Sequence, residues 1–241
     1  MNATESKAMC WQMDGIVVGP PAGTQSEQCL NLDVYAAVSS ESVGQTKRPL
    51  RPVFVWLYGG SLVHGSSASY PGLDALAWLG DALLVVPEYR LGAFGFLAHP
   101  SLDATDPRGV YGILDQQLAL AWVHENVEYF GGDVRRVSLL GQSSGGTSIL
   151  ALLSSPASKG LFSAAISLSA SPNLTIGLHE AHAQFAAVVR QRTPCGVGPL
   201  PRQAACLRNL SSMQVAQLLP TAFDVWSPRC RSLRTGRATS A

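Results

Sequence analysis

The sequence predicts an α/β fold in which a mostly parallel sheet is flanked by helices. Between Leu30 and Ala170, short apolar runs that suit strands alternate with longer segments that suit helices. Glycine pairs close several of these segments, and such alternation is typical of helices packed on a sheet. The chain has 241 residues, 46% of them hydrophobic, which is ample for a packed core.

The predicted strands differ in how deeply they are expected to lie. Alternation of apolar and polar residues around 30–34 predicts a half-buried strand, whereas the continuous apolar runs 52–58 and 83–86 predict strands buried on both faces. Two further strands are predicted at 137–140 and 162–168.

Two main helices are predicted. Segment 112–129 reads as an amphipathic helix that Gly131 and Gly132 end, and segment 146–153 reads as a helix packed closely through small residues. The apolar side of the first is predicted to consist of Ile113, Leu114, Leu118, Ala121, Trp122 and Val123.

Charge and hydropathy argue against several classes of function. The net charge of +1 gives no electrostatic footprint for nucleic acid, so no nucleic-acid partner is expected. Ser, Gly, Pro and Asn interrupt the longest uncharged stretches, so no membrane span is expected. Glu5, Lys7 and Asp14 break up the first 15 residues, so we expect no signal peptide there.

The five cysteines leave two interpretations open at this point. Cys10 can pair with Cys29 and Cys195 with Cys206, which leaves Cys230 alone; five reduced thiols in a cytosolic protein are the alternative. Three N-x-[ST] glycosylation sequons favour an oxidising, secretory setting, and they lie at Asn2, Asn173 and Asn209.

A G-x-S-x-G motif follows the strand predicted at 137–140 and precedes a helix. In this context the motif, Gly141 to Gly145, is typical of a nucleophile elbow, with Ser143 as the nucleophile. The glycines are expected because the turn is too tight for side chains. The helix N-terminus behind the serine favours the negative charge that develops in the transition state. A plain glycine turn is the alternative.

A second glycine-rich loop follows the strand predicted at 52–58. Backbone N–H groups can point at a developing oxyanion only where no side chain intervenes, and Gly59 and Gly60 meet that condition. We predict that the N–H groups of Gly60, Ser61 and Ser144 form an oxyanion hole. An ordinary strand-to-loop turn is the alternative.

Several segments, in order along the chain, resemble the type-B carboxylesterase and cholinesterase family of the α/β-hydrolase fold. The resemblance covers about residues 8–225 and implies a partial α/β-hydrolase fold. The matching blocks are SEQCLNLDVY (26–35), PVFVWLYGG (52–60), PEYRLGAFGFL (87–97), the segment 109–132, GQSSGG (141–146) and KGLF (159–162).

The resemblance implies a serine hydrolase that acts on small-molecule carboxylic esters. Members use a Ser–Glu/Asp–His triad, an acyl-enzyme intermediate and an oxyanion hole, without a cofactor. By position, Ser143 matches the nucleophile, and Gly60, Ser61 and Ser144 match the oxyanion-hole donors.

The resemblance also bears on the cysteines and on location. Family disulfides lie where Cys10–Cys29 and Cys195–Cys206 occur, which favours the oxidised interpretation. Secretion, or residence in the secretory pathway, is therefore implied.

Three residues of the two loops depart from the family pattern. Ser61 replaces the third glycine of the oxyanion loop, Gln142 replaces the Glu before the nucleophile, and Ser144 replaces the Ala after it. None of these changes removes a catalytic atom, but each can shift the geometry of the elbow.

No acid or histidine of the triad is identified in the chain. In this fold the order is Ser, acid, His, and the family's acid and histidine come later than this chain reaches. His179, Glu180 and His182 are predicted to be surface groups of one helix, and their spacing does not fit a zinc site, so no metal is expected. His64 lies close to the glycine-rich loop and is expected to have no catalytic role.

Residues 1–226 are therefore interpreted as an incomplete carboxylesterase domain, and 227–241 as a basic tail outside the family pattern. The first hypothesis is an esterase lineage whose chain alone is inactive. The alternatives are a non-catalytic cholinesterase-like binding or adhesion module and a truncated product without function. The elbow serine, its glycines and the loop favour catalytic ancestry.

Overall fold

The computed structural model describes residues 8–12, 24–36, 49–102, 109–172 and 176–219. Within these residues the chain forms a central sheet with helices on both faces. The strands are β1 (Met9–Cys10), β2 (Gln25–Ser26), β3 (Leu32–Ala36), β4 (Arg51–Leu57), β5 (Leu83–Pro87), β6 (Gly132–Gln142) and β7 (Ala164–Leu168). The helices are α1 (Asp74–Leu79), α2 (Gly92–Phe96), α3 (Tyr111–Asn126), α4 (Ser144–Ser154), α5 (Leu178–Arg192), α6 (Leu200–Arg208) and α7 (Ser212–Ala216).

The central sheet has the strand order β3-β5-β4-β6-β7, and only β3 runs antiparallel to its neighbour. The predicted mixed, mostly parallel sheet is therefore confirmed. In the register of β4 with β6, Leu57 lies opposite Gly141. The turns that follow these two strands consequently start side by side at one edge of the sheet.

The sheet is buried on both faces. One face packs against α3 and α4 through residues such as Val53, Leu120 and Ile149, all fully buried. The opposite face carries Trp56 and Leu84 and packs against α1. Burial on both faces explains why β4 and β5 read as continuous apolar runs rather than alternating ones.

The helix α3 is present, and its predicted apolar side is correct in part: Val123 is fully buried, and Ile113 and Trp122 pack against the same core. Leu114 and Leu118 are 39% and 64% exposed, whereas Asp115 and Gln116 are buried. Asp115 accepts two hydrogen bonds of 2.7 Å from the Arg90 guanidinium, and the Gln116 amide donates to a serine of α4. Asp115 can occupy the buried face because it is paired with Arg90, and a pattern of apolar residues does not reveal such pairing.

The strand β7 lies within the predicted segment 162–168, but it is less buried than β4 and β5. It is an edge strand among the described strands, and Ile166 and Leu168 remain 50% and 46% exposed. Ser167 and Leu168 nevertheless contact the turn after β6, because Ser167 Oγ donates to Gly146 O at 2.9 Å.

Two disulfides join the cysteine pairs that the resemblance implies. Cys10 is bonded to Cys29, and Cys195 is bonded to Cys206 next to a small core formed by α2, α5, α6 and α7. Cys230, Asn2, Asn173 and the tail 227–241 lie outside the described residues. In the described ranges, no helix combines the length and the apolar character needed to cross a membrane.

Candidate active site

Ser143 occupies a sharp turn between β6 and α4. Its backbone has φ 57° and ψ −124°, a left-handed conformation that is unfavourable for a residue with a side chain. Two hydrogen bonds hold it there: Ser143 N donates to Leu168 O at 2.8 Å, and Thr147 N donates to Ser143 O at 3.0 Å. The turn therefore presents Ser143 at the N-terminus of α4, where the helix dipole favours negative charge.

The glycines of this turn are required by space. A Cβ on Gly145 would lie 2.0 Å from Leu57 O, and one on Gly141 would lie 2.7 Å from the carbonyl of Gly145. Both contacts are with backbone atoms, which cannot swing aside as a side chain can. The nucleophile elbow, residues 141–145, is thus fixed by close backbone approach to the end of β4.

The loop after β4, residues 59–65, lies directly against the elbow; we call it the oxyanion loop. A Cβ on Gly59 would be 3.0 Å from Ser143 Cβ, so the two turns are in contact. Gly60 has φ 128°, and its carbonyl accepts from both Val63 N and His64 N to close the turn. Ser61 and Leu62 follow with φ 57° and 60°, two consecutive left-handed residues that carry side chains.

Side chains from distant parts of the chain hold the oxyanion loop. Gly59 N donates to Tyr70 Oη at 2.9 Å, and the same hydroxyl donates to Gln142 Oε1 at 3.2 Å. Gln12 makes a reciprocal pair with Gly65, in which Gly65 N donates to Gln12 Oε1 and Gln12 Nε2 donates to Gly65 O. These contacts fix the two ends of the loop.

Two amides of this loop lack an acceptor among the described residues. The N–H groups of Gly59, Leu62, Val63, His64 and Gly65 all donate to oxygen atoms of the protein. The N–H groups of Gly60 and Ser61 do not. Gly60 and Ser61 are only partly buried, so their amides are open to water or to a ligand oxygen beside Ser143.

A buried carboxyl supports the base of the site. Glu88, 5% exposed, accepts from Tyr58 Oη at 2.9 Å and from Ser67 N at 2.7 Å. Burial raises the pKa of Glu88 above its ordinary value, and burial beside Glu88 raises the pKa of Tyr58 well above 10.0. The Tyr58 phenol therefore stays protonated and keeps donating, which ties the end of β4 to the segment that follows the oxyanion loop.

No histidine is hydrogen-bonded to Ser143 in the described part of the chain. All five histidines of the chain are within the described residues. His64 packs beside Gly60, and burial lowers its pKa. His179 and His182 belong to α5, which packs against α2 and α6. Within the described part of the chain, no cluster of three or more His, Cys, Asp or Glu residues could hold a metal.

Sequence reasoning missed most of the residues that hold the oxyanion loop. Tyr70 and Gln12 carry no motif; Tyr70 lies 11 residues from its loop partner Gly59, and Gln12 lies 53 residues from Gly65. Glu88 falls inside the block 87–97 used for the resemblance, and that was the one available signal.

Asn209 lies exposed at the C-terminus of α6, so its side chain is accessible.

Several curated proteins are similar to this chain over most of its length. A cocaine esterase of Oryctolagus cuniculus is 35% identical over 95% of this chain and 44% of that protein. A medium-chain fatty acyl-CoA hydrolase precursor of Anas platyrhynchos is 38% identical over 80% of this chain and 33% of its own length. Acetylcholinesterase-1 of Trittame loki is 42% identical over 67% of this chain and 28% of its own. The chain thus spans less than half the length of these curated relatives.

The match to a protein family extends far beyond the two turns of the site. The profile of the carboxylesterase family matches residues 1–229, nearly the whole chain. The mostly parallel sheet, the helices on its two faces and the elbow after β6 agree with the α/β-hydrolase fold of that family. This chain therefore belongs to the carboxylesterase family.

Proposed function

We propose that this chain carries the nucleophile and oxyanion hole of a serine hydrolase that acts on carboxylic esters. The observation that carries the proposal is the pair of open amides, Gly60 and Ser61, beside a left-handed Ser143. An oxyanion formed on the carbonyl carbon bonded to Ser143 would accept from these two amides and from Ser144 N. A ligand oxygen then satisfies the amides that the protein leaves open.

The reaction follows from these positions. Ser143 Oγ attacks the ester carbonyl, and its proton passes to a general base. The C=O electron pair moves to the oxygen, which the three amides stabilise. When that pair returns, the C–O bond to the alcohol breaks, and the alcohol leaves with the proton. Water then attacks the acyl-Ser143 ester by the same route and releases the carboxylic acid.

The general base and its acid partner are proposed to come from outside the described residues. None of the five histidines hydrogen-bonds Ser143. We therefore propose that the chain alone turns over esters poorly, although its nucleophile and oxyanion hole are formed. The relatives include esterases and an acyl-CoA hydrolase, which supports acyl transfer to water as the reaction class.

The same proposal extends to compartment and domain organisation. Two disulfides favour an oxidising setting, so we place the protein in the secretory pathway, with Asn209 as an exposed glycosylation candidate and Asn173 as a second one. Residues 1–226 form the esterase part, and 227–241 are a tail outside it. The family match, which ends at residue 229, supports that boundary.

A fluorophosphonate probe with imidazole rescue tests the assignment. We expect slow labelling of the chain by the probe alone and faster labelling when free imidazole supplies the missing base. Mass spectrometry should place the adduct on Ser143. S143A should remove the adduct, and S171A, which alters an exposed serine of the segment after β7, should keep it.

The outcomes separate the two halves of the proposal. Rapid labelling of Ser143 without imidazole would show that a base is present in this chain. Absence of labelling with imidazole, or labelling at another residue, would overturn Ser143 as nucleophile and favour a non-catalytic binding module.

A further inference from the structure

We infer that the side chain of Ser144 is a positioning group that holds the oxyanion loop in place against the nucleophile. The inference rests on the proposed function, because it concerns the same oxyanion hole. It assigns to Ser144 a role of its side chain, separate from the role of its backbone N–H.

The geometry of Ser144 carries the inference. Leu62 N donates to Ser144 Oγ at 3.1 Å, across 82 residues of sequence. Ser144 is 4% exposed, so water does not compete readily for this bond. Ser144 is also the first residue of α4 and directly follows Ser143. The bond therefore links the oxyanion loop to the residue next to the nucleophile.

The oxyanion loop needs such a link because of its own conformation. Ser61 and Leu62 both have φ near 60°, a region that residues with a Cβ avoid. The family pattern has glycine at position 61 and alanine at position 144, so this chain has a less tolerant loop and an additional hydroxyl. The two departures compensate: Ser61 makes the left-handed turn less favourable, and Ser144 Oγ holds it.

The contact also determines which amides remain open. Leu62 is held on both sides, because its N–H donates to Ser144 Oγ and its carbonyl accepts from Gly92 N at 2.7 Å. The peptide that follows Ser61 is thus fixed in orientation. Leu62 N–H is thereby removed from the donors open to a substrate oxygen, and the N–H groups of Gly60 and Ser61 remain.

The first test measures the Leu62 amide directly. In S144A we expect hydrogen exchange of the Leu62 amide, followed by NMR, to be about tenfold faster than in the wild type. Exchange of the Gly65 amide, which Gln12 holds, should not change and serves as the internal control. Equal Leu62 exchange in S144A and wild type would overturn the inference, whatever the activity of the protein.

The second test is a double-mutant cycle read by imidazole-rescued labelling of Ser143. S144A should slow labelling by between about 10- and 100-fold, because the oxyanion donors lose their position. In the S61G background the effect of S144A should be smaller, because glycine adopts the left-handed turn without help. An effect of S144A that is the same in both backgrounds would contradict compensation.

The two tests keep this inference separate from the proposed function. Absence of labelling in every protein, the wild type included, would remove the proposed esterase function, and Leu62 exchange would still decide whether Ser144 holds the loop. Labelling of the wild type together with unchanged Leu62 exchange would leave the function and remove the inference. If S144A does not melt cooperatively, comparison of S61G with S144A/S61G decides, since the relaxed loop is present in both.

Discussion

The two walls of the candidate site are built in different ways. The nucleophile elbow is fixed by backbone contact, with Gly145 against the carbonyl of Leu57. The oxyanion loop is fixed by side-chain hydrogen bonds from Gln12, Tyr70 and Ser144. Both walls rely on long-range contacts: Gly145 meets Leu57 at the end of β4, and Gln12 and Ser144 lie 53 and 82 positions from their partners in the loop. A five-residue motif marks the first wall, whereas no motif marks the side chains that hold the second.

The largest effect should come from adding a methyl group to the elbow. In G145A the new Cβ would lie 2.0 Å from Leu57 O, so β4 or α4 must move. We expect a loss of about 3 kcal/mol or more in the free energy of unfolding, measured by urea denaturation. G177A is the matched control, because a Cβ there meets nothing within 4 Å, and its cost should stay below about 1 kcal/mol. Wild-type stability of G145A would contradict the steric account of this wall.

A smaller effect should follow the removal of one hydroxyl from the second wall. Y70F leaves Gly59 N without an acceptor and removes the donor to Gln142 Oε1. We expect a loss of about 1–3 kcal/mol, measured by urea denaturation, and faster exchange of the Gly59 amide. Y129F alters a tyrosine that is 86% exposed and should change neither quantity. If Y70F matched Y129F, side-chain bonds would not be what holds the oxyanion loop.

The second wall should also give stability a characteristic pH dependence. Burial raises the pKa of Glu88, so the folded state binds its proton more tightly than the unfolded state, whose pKa is near 4.5. The contribution of Glu88 to stability is then complete below pH 4.5 and is lost as the pH rises through the raised pKa. The urea midpoint of the wild type minus that of E88Q should therefore fall from pH 4 to pH 8. A value that rises over this range would have the wrong sign.

The smallest effect is expected at the far end of the elbow strand, with the opposite sign. Hydrogen bonds from Arg135 and then Arg136 lower the pKa of Asp133, near the start of β6, from 3.8 to about 2. Its contribution is present above pH 3.8 and is lost as the pH falls through about 2. The pKa can be read from carboxyl carbon shifts by NMR, and R135Q should raise it. An Asp133 pKa that R135Q leaves unchanged would contradict this pairing.

The elbow wall was predictable because a short motif marks it, although the contacts that fix it, with Leu57 and Leu168, are long-range. The G-x-S-x-G letters and the preceding apolar run imply a strand, a tight turn and a helix, and all three occur at Gly132–Gln142, Ser143 and Ser144–Ser154. The continuous apolar runs at β4 and β5 were equally informative, because a strand that is buried on both faces has few polar residues.

The oxyanion wall was only half predictable. The glycines of the loop predict a turn, but the sequence around Tyr70 and Gln12 does not indicate that these side chains hold the turn. The errors in the apolar side of α3, at Leu114 and Leu118, have the same cause, since Asp115 is buried only because Arg90, 25 residues away, pairs with it. The short helices α1, α2, α6 and α7, of five to nine residues, are too brief to show a helical period.

Among the described strands, the edge strand β7 is tied to the turn at Ser143. The amide of Ser143 is bonded to the carbonyl of Leu168 on β7, and β7 has a single neighbour among the described strands. A segment that pairs with the open side of β7 would therefore contact a strand that is hydrogen-bonded to Ser143. Any coupling between such pairing and binding at Ser143 is reciprocal, so each would change the affinity of the other by the same factor.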